Sequence, residues 1–133
     1  MKFETIKFNQ KKIPINEIYL RSKNFYELLK KRRSIRSFDK TKIKDEIIKN
    51  AILAAGTAPN GANLQPWHFV IIKDKLIKKK IRKAAEKEEG DFYNFKATKA
   101  WLEALKPLGT NSNKRFLEEA PVLIAIFEKK IYN

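Results

Sequence analysis

Two apolar runs constrain this chain most: Trp67-His68-Phe69-Val70-Ile71-Ile72 behind Pro66, and Val122-Leu123-Ile124-Ala125-Ile126-Phe127 behind Pro121. Each has the length of a strand, is rich in β-branched and aromatic residues, and lacks the polar alternation of a half-exposed strand. Both read as buried central strands, with His68 and Trp67 as strand residues. Elsewhere the apolar residues recur at helical spacing. Phe25, Leu28 and Leu29 place a helix from Asn24 to near Arg33. Ile47, Ile48, Ala51, Ile52 and Ala55 place a second, stopped by Gly56 and Pro59. Ile77, Ile81, Ala84 and Ala85 place a third over about 76–89, and Trp101, Leu102 and Leu105 a shorter fourth. Lys75, Lys78, Lys79, Lys80, Arg82 and Lys83 fall on the other side of the third helix and read as a solvated face. Residues 1–20 scatter lysines among isolated apolar residues around Pro14, which reads as an extended N-terminal arm; residues 21–133 read as one domain. The fold class is α+β, with helices around a mainly antiparallel sheet.

A chain of 133 residues is long enough to bury a core without covalent staples. The absence of cysteine excludes disulfides, thiolate metal sites and cysteine nucleophiles. A single histidine argues against Ser-His-Asp catalysis and histidine-rich metal centres. No apolar run approaches the roughly 20 residues of a membrane span, and no signal-like apolar core follows Met1, so the expectation is a cytoplasmic protein with no membrane partner. Thirty basic residues against 15 acidic give a net charge of +15, which favours anionic ligands. A nucleic-acid-binding module is the weaker reading of that charge. No nucleic-acid motif is present, and the aromatics sit in apolar stripes rather than among the lysines.

Most of the charge is lysine spread along the chain, whereas three of the six arginines cluster at Arg32, Arg33 and Arg36, around Ser34. A guanidinium binds phosphate with two parallel bonds, which an ammonium cannot do. A helix C-terminus also attracts basic residues with no ligand present. The second segment is Ala58-Pro59-Asn60-Gly61-Ala62-Asn63-Leu64-Gln65-Pro66-Trp67, a glycine-containing loop that drops into a strand. Such a loop brings backbone amides and carboxamides close to a flat heterocycle, or simply turns a helix into a strand.

Together, in this order, the two segments resemble the nitroreductase superfamily of FMN enzymes. There an Arg-Arg-Ser-x-Arg segment precedes a helix, and an Ala-Pro-Ser/Asn-Gly-x-Asn-x-Gln-Pro-Trp loop leads into a strand. The resemblance implies FMN as cofactor, with Arg32, Arg33, Ser34 and Arg36 at the flavin phosphate and ring edge. Pro59, Asn60, Gly61, Ala62 and Asn63 would line the isoalloxazine. It also implies a homodimer and electrons from NAD(P)H or a reductase.

A third set of residues resembles the iodotyrosine deiodinase branch: Glu89, Tyr93 and Lys114, with Asn24-Phe25-Tyr26-Glu27, Gly56-Thr57-Ala58-Pro59 and Phe116-Leu117-Glu118-Glu119-Ala120-Pro121. In that branch a lid supplies a Glu, a Tyr and a Lys that hold the amino-acid end of a halotyrosine. The implied substrate-binding residues are Ala62, Glu89, Tyr93 and Lys114, and the implied reaction is reductive dehalogenation of a small aromatic substrate. Ser112 stands where the deiodinases usually carry Trp, Asn60 where many have Ser, and Asn63 and Gln65 look more like general nitroreductases. Nitroaromatic or quinone reduction is therefore the alternative. The resemblance runs from about residue 21 to 127 and corresponds to the first half of the family's domain. This implies a C-terminally truncated member, with an inactive remnant as a further alternative.

Overall fold

The computed structural model describes residues 5, 7–9 and 11–130. It divides into two compact units, the first ending at Ile35 and the second beginning at Arg36.

The first unit holds helix α1 (Ile15–Lys30), which has no buried residue. The helix starts nine residues before the Asn24 start expected from the apolar spacing, so residues 15–20 are helical rather than part of an extended arm. Residues 1–4, 6 and 10 of that arm lie outside the described residues. Pro14 is the reason. At φ −58° it sits on the threshold of the helix, where its missing N–H is no loss, and its carbonyl accepts from Glu17 and Ile18 at 3.0 Å. Glu17 in the first turn complements the helix dipole and pairs with Arg21 one turn on.

The second unit runs α2 (Asp45–Gly56), β1 (Trp67–Ile72), α3 (Lys75–Asp91), α4 (Lys99–Leu105), α5 (Phe116–Glu119) and β2 (Leu123–Glu128). The two strands pair antiparallel, in register from Trp67 opposite Glu128 to Ile72 opposite Leu123. Both strands fall where the apolar runs place them, and the α+β class holds. Their expected centrality does not. Among the described residues the sheet has two strands, and Ile71, Ile124, Ile126 and Phe127 are exposed. An apolar run reports what a strand can bury, whereas burial also needs a covering layer. The core is correspondingly small: Ile48 of α2 and Ala120 are the buried apolar residues among those described.

Helix α3 is capped by Asp74, whose carboxylate accepts from the Ile77 N–H at 2.8 Å. The helix passes its expected end and widens into a π turn over Phe92–Lys96, closed by Ala97 N–H donating to the Phe92 carbonyl at 2.8 Å. A π turn adds a residue without changing the apolar pattern around it, so spacing does not reveal it. Its Phe92 ring stands edge-on to Tyr93 and to Trp101 of α4, with centroids 5.5 and 5.4 Å away.

The basic side of α3 is only partly a solvated face. Lys78 is buried, and its ammonium donates to the Ala120 carbonyl at 2.6 Å. Arg82 lies 3.0 Å from Glu118 of α5 and 3.6 Å from Glu86. These cations meet the segment that leads into β2, which the lysine-rich composition conceals.

Candidate functional site

The loop between α2 and β1 is the most strained part of the described backbone. Ala62, Asn63 and Gln65 all have left-handed φ, at 50°, 53° and 46°. For a residue with a Cβ this costs roughly 1–2 kcal/mol, and such strain collects where a ligand or a switch needs it. Asn60 holds the loop in this shape. Its side-chain oxygen accepts from the Gln65 N–H at 2.7 Å, and its amide donates to the Ala58 carbonyl at 3.4 Å. Gly61, the glycine that marks this loop in the sequence, is not left-handed, and a Cβ built on it would meet nothing within 4 Å. Open space therefore lies over the glycine. Pro59 and Gly61 to Asn63 are exposed, and Asn60 is half-buried.

In the first unit, Arg32, Arg33 and Ser34 follow the end of α1 and are exposed. Arg33 caps that helix: one guanidinium nitrogen donates to the carbonyls of Lys30 at 2.7 Å and Arg32 at 2.9 Å. Both hydrogens of that nitrogen are used, which leaves three of the five guanidinium donors for another acceptor. Arg36 opens the second unit and is also exposed.

Glu89 and Lys114, far apart in sequence, are brought together. The Lys114 ammonium lies 2.9 Å from a Glu89 carboxylate oxygen, with the lysine side chain 16% exposed and the glutamate side chain 37%. Lys114 also donates from its ammonium to the Asn111 carbonyl at 3.0 Å, and from its backbone N–H to Glu86 at 3.0 Å. Tyr93, one turn beyond Glu89, enters the π turn and is half-buried. Glu86 is a partner of Lys114 that sequence reasoning missed. Its signal is the three-residue spacing to Glu89, which places both carboxylates on one side of α3. Ala62 belongs to the loop between α2 and β1.

Next to the pair, Lys96 at the end of the π turn bonds Glu88. That hydrogen bond, and then the charge behind it, holds the Glu88 carboxyl below its ordinary range and the Lys96 ammonium above its own. Asp39, ahead of α2, is likewise held low, by hydrogen bonds from the Thr41 hydroxyl and backbone.

Among the described residues no helix is long and apolar enough to cross a membrane, and no cluster of three or more His, Cys, Asp or Glu is arranged to hold a metal.

The family model described as "Nitroreductase family" matches residues 29–133. Iodotyrosine deiodinase 1 of Mus musculus is 47% identical over 126 residues, which are 95% of this chain and 44% of that protein. Iodotyrosine deiodinase of Haliscomenobacter hydrossis is 47% identical over 113 residues, 85% of this chain and 51% of its own length. The chain thus spans about half the length of the curated relatives it matches. Among solved structures, that of oxidized iodotyrosine deiodinase bound to FMN and 3-iodo-L-tyrosine superposes with a TM-score of 0.74 at 36% identity, covering 81% of this chain and 58% of that one. An FMN-dependent nitroreductase from Clostridium difficile R20291 superposes at 0.56 and 28% identity, over 79% of this chain and 44% of that one.

Proposed function

The chain belongs to the nitroreductase family, and from that premise we propose that it binds FMN and serves in the reductive dehalogenation of a halotyrosine-like substrate. Two relatives support the substrate class by their names, and a solved structure of that kind holds FMN and 3-iodo-L-tyrosine. The observation that carries the reading is the Glu89–Lys114 ion pair, with Tyr93 one turn on. A carboxylate and an ammonium held side by side are the two groups that read an amino-acid zwitterion. The substrate ammonium takes the place of Lys114 opposite Glu89, and its carboxylate takes the place of Glu89 opposite Lys114. Charge stays balanced throughout the exchange, so neither group is left buried and unpaired.

The residues present fit a flavin. The space over Gly61 admits a flat ring against the backbone, and the left-handed residues beside it turn the chain past such a ring. Pro59, Asn60, Gly61, Ala62 and Asn63 would line it. Arg32, Arg33, Ser34 and Arg36 would serve the phosphate, Arg33 through the three donors its helix-capping role leaves open. FMN, when bound, supplies the redox chemistry, taking electrons from NAD(P)H or a reductase. The protein's share is to hold the substrate ring with Ala62 beneath it and Glu89, Tyr93 and Lys114 on its amino-acid end. A homodimer and a cytoplasmic location are proposals of the same reading. The exposed apolar residues Ile124, Ile126 and Phe127 of β2 favour the homodimer.

Glu89→Gln tests the reading. Affinity of the FMN-loaded protein for 3-iodotyrosine should fall about tenfold or more, while affinity for an iodophenol without the amino-acid group stays unchanged. An equal loss on both ligands would give Glu89 a purely structural role.

A further inference from the structure

On the second unit, the segment before α2, the basic side of α3 and the approach to β2 enclose a groove of about 970 Å³, whose lining includes neither the loop at 59–63 nor Glu89 and Lys114. Seven of its lining residues are basic and three acidic. Its acidic residues are largely spoken for: Asp45 pairs with Lys73, and Glu118 with Arg82. Lys73 and Arg82 are the two of the seven cations taken up in those pairs. Lys40, Lys42 and Arg115 make no ion pair among the described residues, and all three are exposed at the rim. Lys78 also lines the groove. It is buried to 5% exposure, and the Ala120 carbonyl is the one acceptor recorded for its three N–H donors. A buried ammonium with donors to spare is costly unless something completes its shell.

From this arrangement we infer that the groove is an anion site for a small ligand carrying two or more phosphates, separate from the flavin site proposed above. The volume is that of a small-molecule pocket rather than of a single ion. A concave wall with cations at its rim and a lysine within it suits a compact chain of phosphates. An acidic peptide would string single charges along a flat surface instead. Water and chloride satisfy exposed lysines, but a phosphate oxygen that reaches Lys78 exchanges an incomplete set of hydrogen bonds for charge-assisted ones. None of the groove residues belongs to the arginine cluster or to the loop at 59–63.

The test uses the full chain and inorganic tripolyphosphate, titrated calorimetrically at physiological ionic strength. Saturable binding of one tripolyphosphate per chain is expected. It should weaken by about tenfold or more in Lys42→Gln/Arg115→Gln, whose exposed side chains leave folding intact. Lys79→Gln/Lys83→Gln removes the same charge from α3 outside the groove and should bind as wild type does. Lys78→Met also frees the buried Ala120 carbonyl, so it is assayed without denaturant where circular dichroism shows it folded. It should then abolish binding, and undiminished binding would overturn the inference. Adenosine triphosphate binding more tightly than tripolyphosphate would identify a nucleotide as the source of the phosphates, and equal affinity the phosphate chain itself. Equal losses in both double variants would reduce the effect to net charge and overturn the inference. So would unsaturable binding, or stoichiometric displacement by FMN, which would merge the groove with the flavin site.

Discussion

Gly61→Ala separates a glycine kept for the fold from one kept for a ligand. Position 61 does not have the left-handed φ that would require glycine, and an added Cβ has no neighbour within 4 Å. The fold should therefore tolerate alanine there. Because alanine has fewer unfolded conformations to lose, the variant should be more stable by about 0.4–1 kcal/mol. Ala62→Gly is the converse case. Its φ of 50° and ψ of 22° cost an alanine roughly 1–2 kcal/mol, which glycine relieves. The looser unfolded chain takes back about 0.4–1 kcal/mol of that, leaving a net gain of roughly 0–1.6 kcal/mol. Urea unfolding gives both differences. Flavin binding should respond quite differently. If a ring lies against the backbone at 61, the new methyl overpacks that contact, and FMN affinity should drop by about 1–3 kcal/mol, roughly 5- to 150-fold, in a variant no less stable than wild type. Fluorescence titration with FMN reads this directly. A Gly61→Ala protein that unfolds more easily would show that glycine is structural after all. One that binds FMN as wild type does would remove the ring from this loop.

Arg33→Ala should weaken FMN binding by roughly 1.5–3 kcal/mol by fluorescence titration, beyond any loss of α1 helicity seen by circular dichroism. Ile48→Ala, which deletes one of the two buried apolar side chains of the described core, should destabilise the chain by about 2–4 kcal/mol in urea unfolding. Arg82→Ala leaves Glu118 without its partner in the α3–α5 contact and should cost about 1–3 kcal/mol in the same assay. The Glu88–Lys96 pair sets a pH window. Glu88 is held low, so its contribution is complete above the ordinary carboxyl value of 4.5 and disappears as pH falls through the lowered one. Lys96 is held high, so its contribution is complete below 10.5 and disappears as pH rises through the raised value. Amide exchange in the π turn should therefore be best protected between those limits, once corrected for intrinsic rates, and Lys96→Met should flatten the profile.

Strand positions were legible because a run such as Val122 to Phe127 admits few other readings, and the antiparallel pairing follows the expected class. The covering layers were not legible, since apolar character specifies a demand for burial and not its fulfilment. The start of α1 was misplaced because Pro14 has two opposite meanings: it breaks a helix from within and begins one at the first turn. The loop at 59–63 was legible as a loop. That its left-handed residues are Ala62, Asn63 and Gln65 rather than Gly61 was not, because the side chain of Asn60 imposes the turn across five residues.

The joining of Glu89 to Lys114 has a cause that no single motif displays. Lys78, Arg82, Glu86 and Glu89 recur along one side of α3. Each meets the chain that returns toward β2, in reverse order: Lys78 at the Ala120 carbonyl, Arg82 at Glu118, Glu86 at the Lys114 N–H, and Glu89 at the Lys114 ammonium. An apolar stripe with that period would have announced a packed face. A polar stripe with the same period reads as a solvated one, because periodicity weighs hydrophobicity and is blind to partners. The partners convert the stripe into a zipper that fixes where Lys114 stands relative to α3. At its far end Glu89 is the most open of these contacts, and its carboxylate faces the Lys114 ammonium, the pair that the proposed zwitterionic substrate would enter. Under the proposed function, the rest of the zipper would hold the frame while that one pair exchanges.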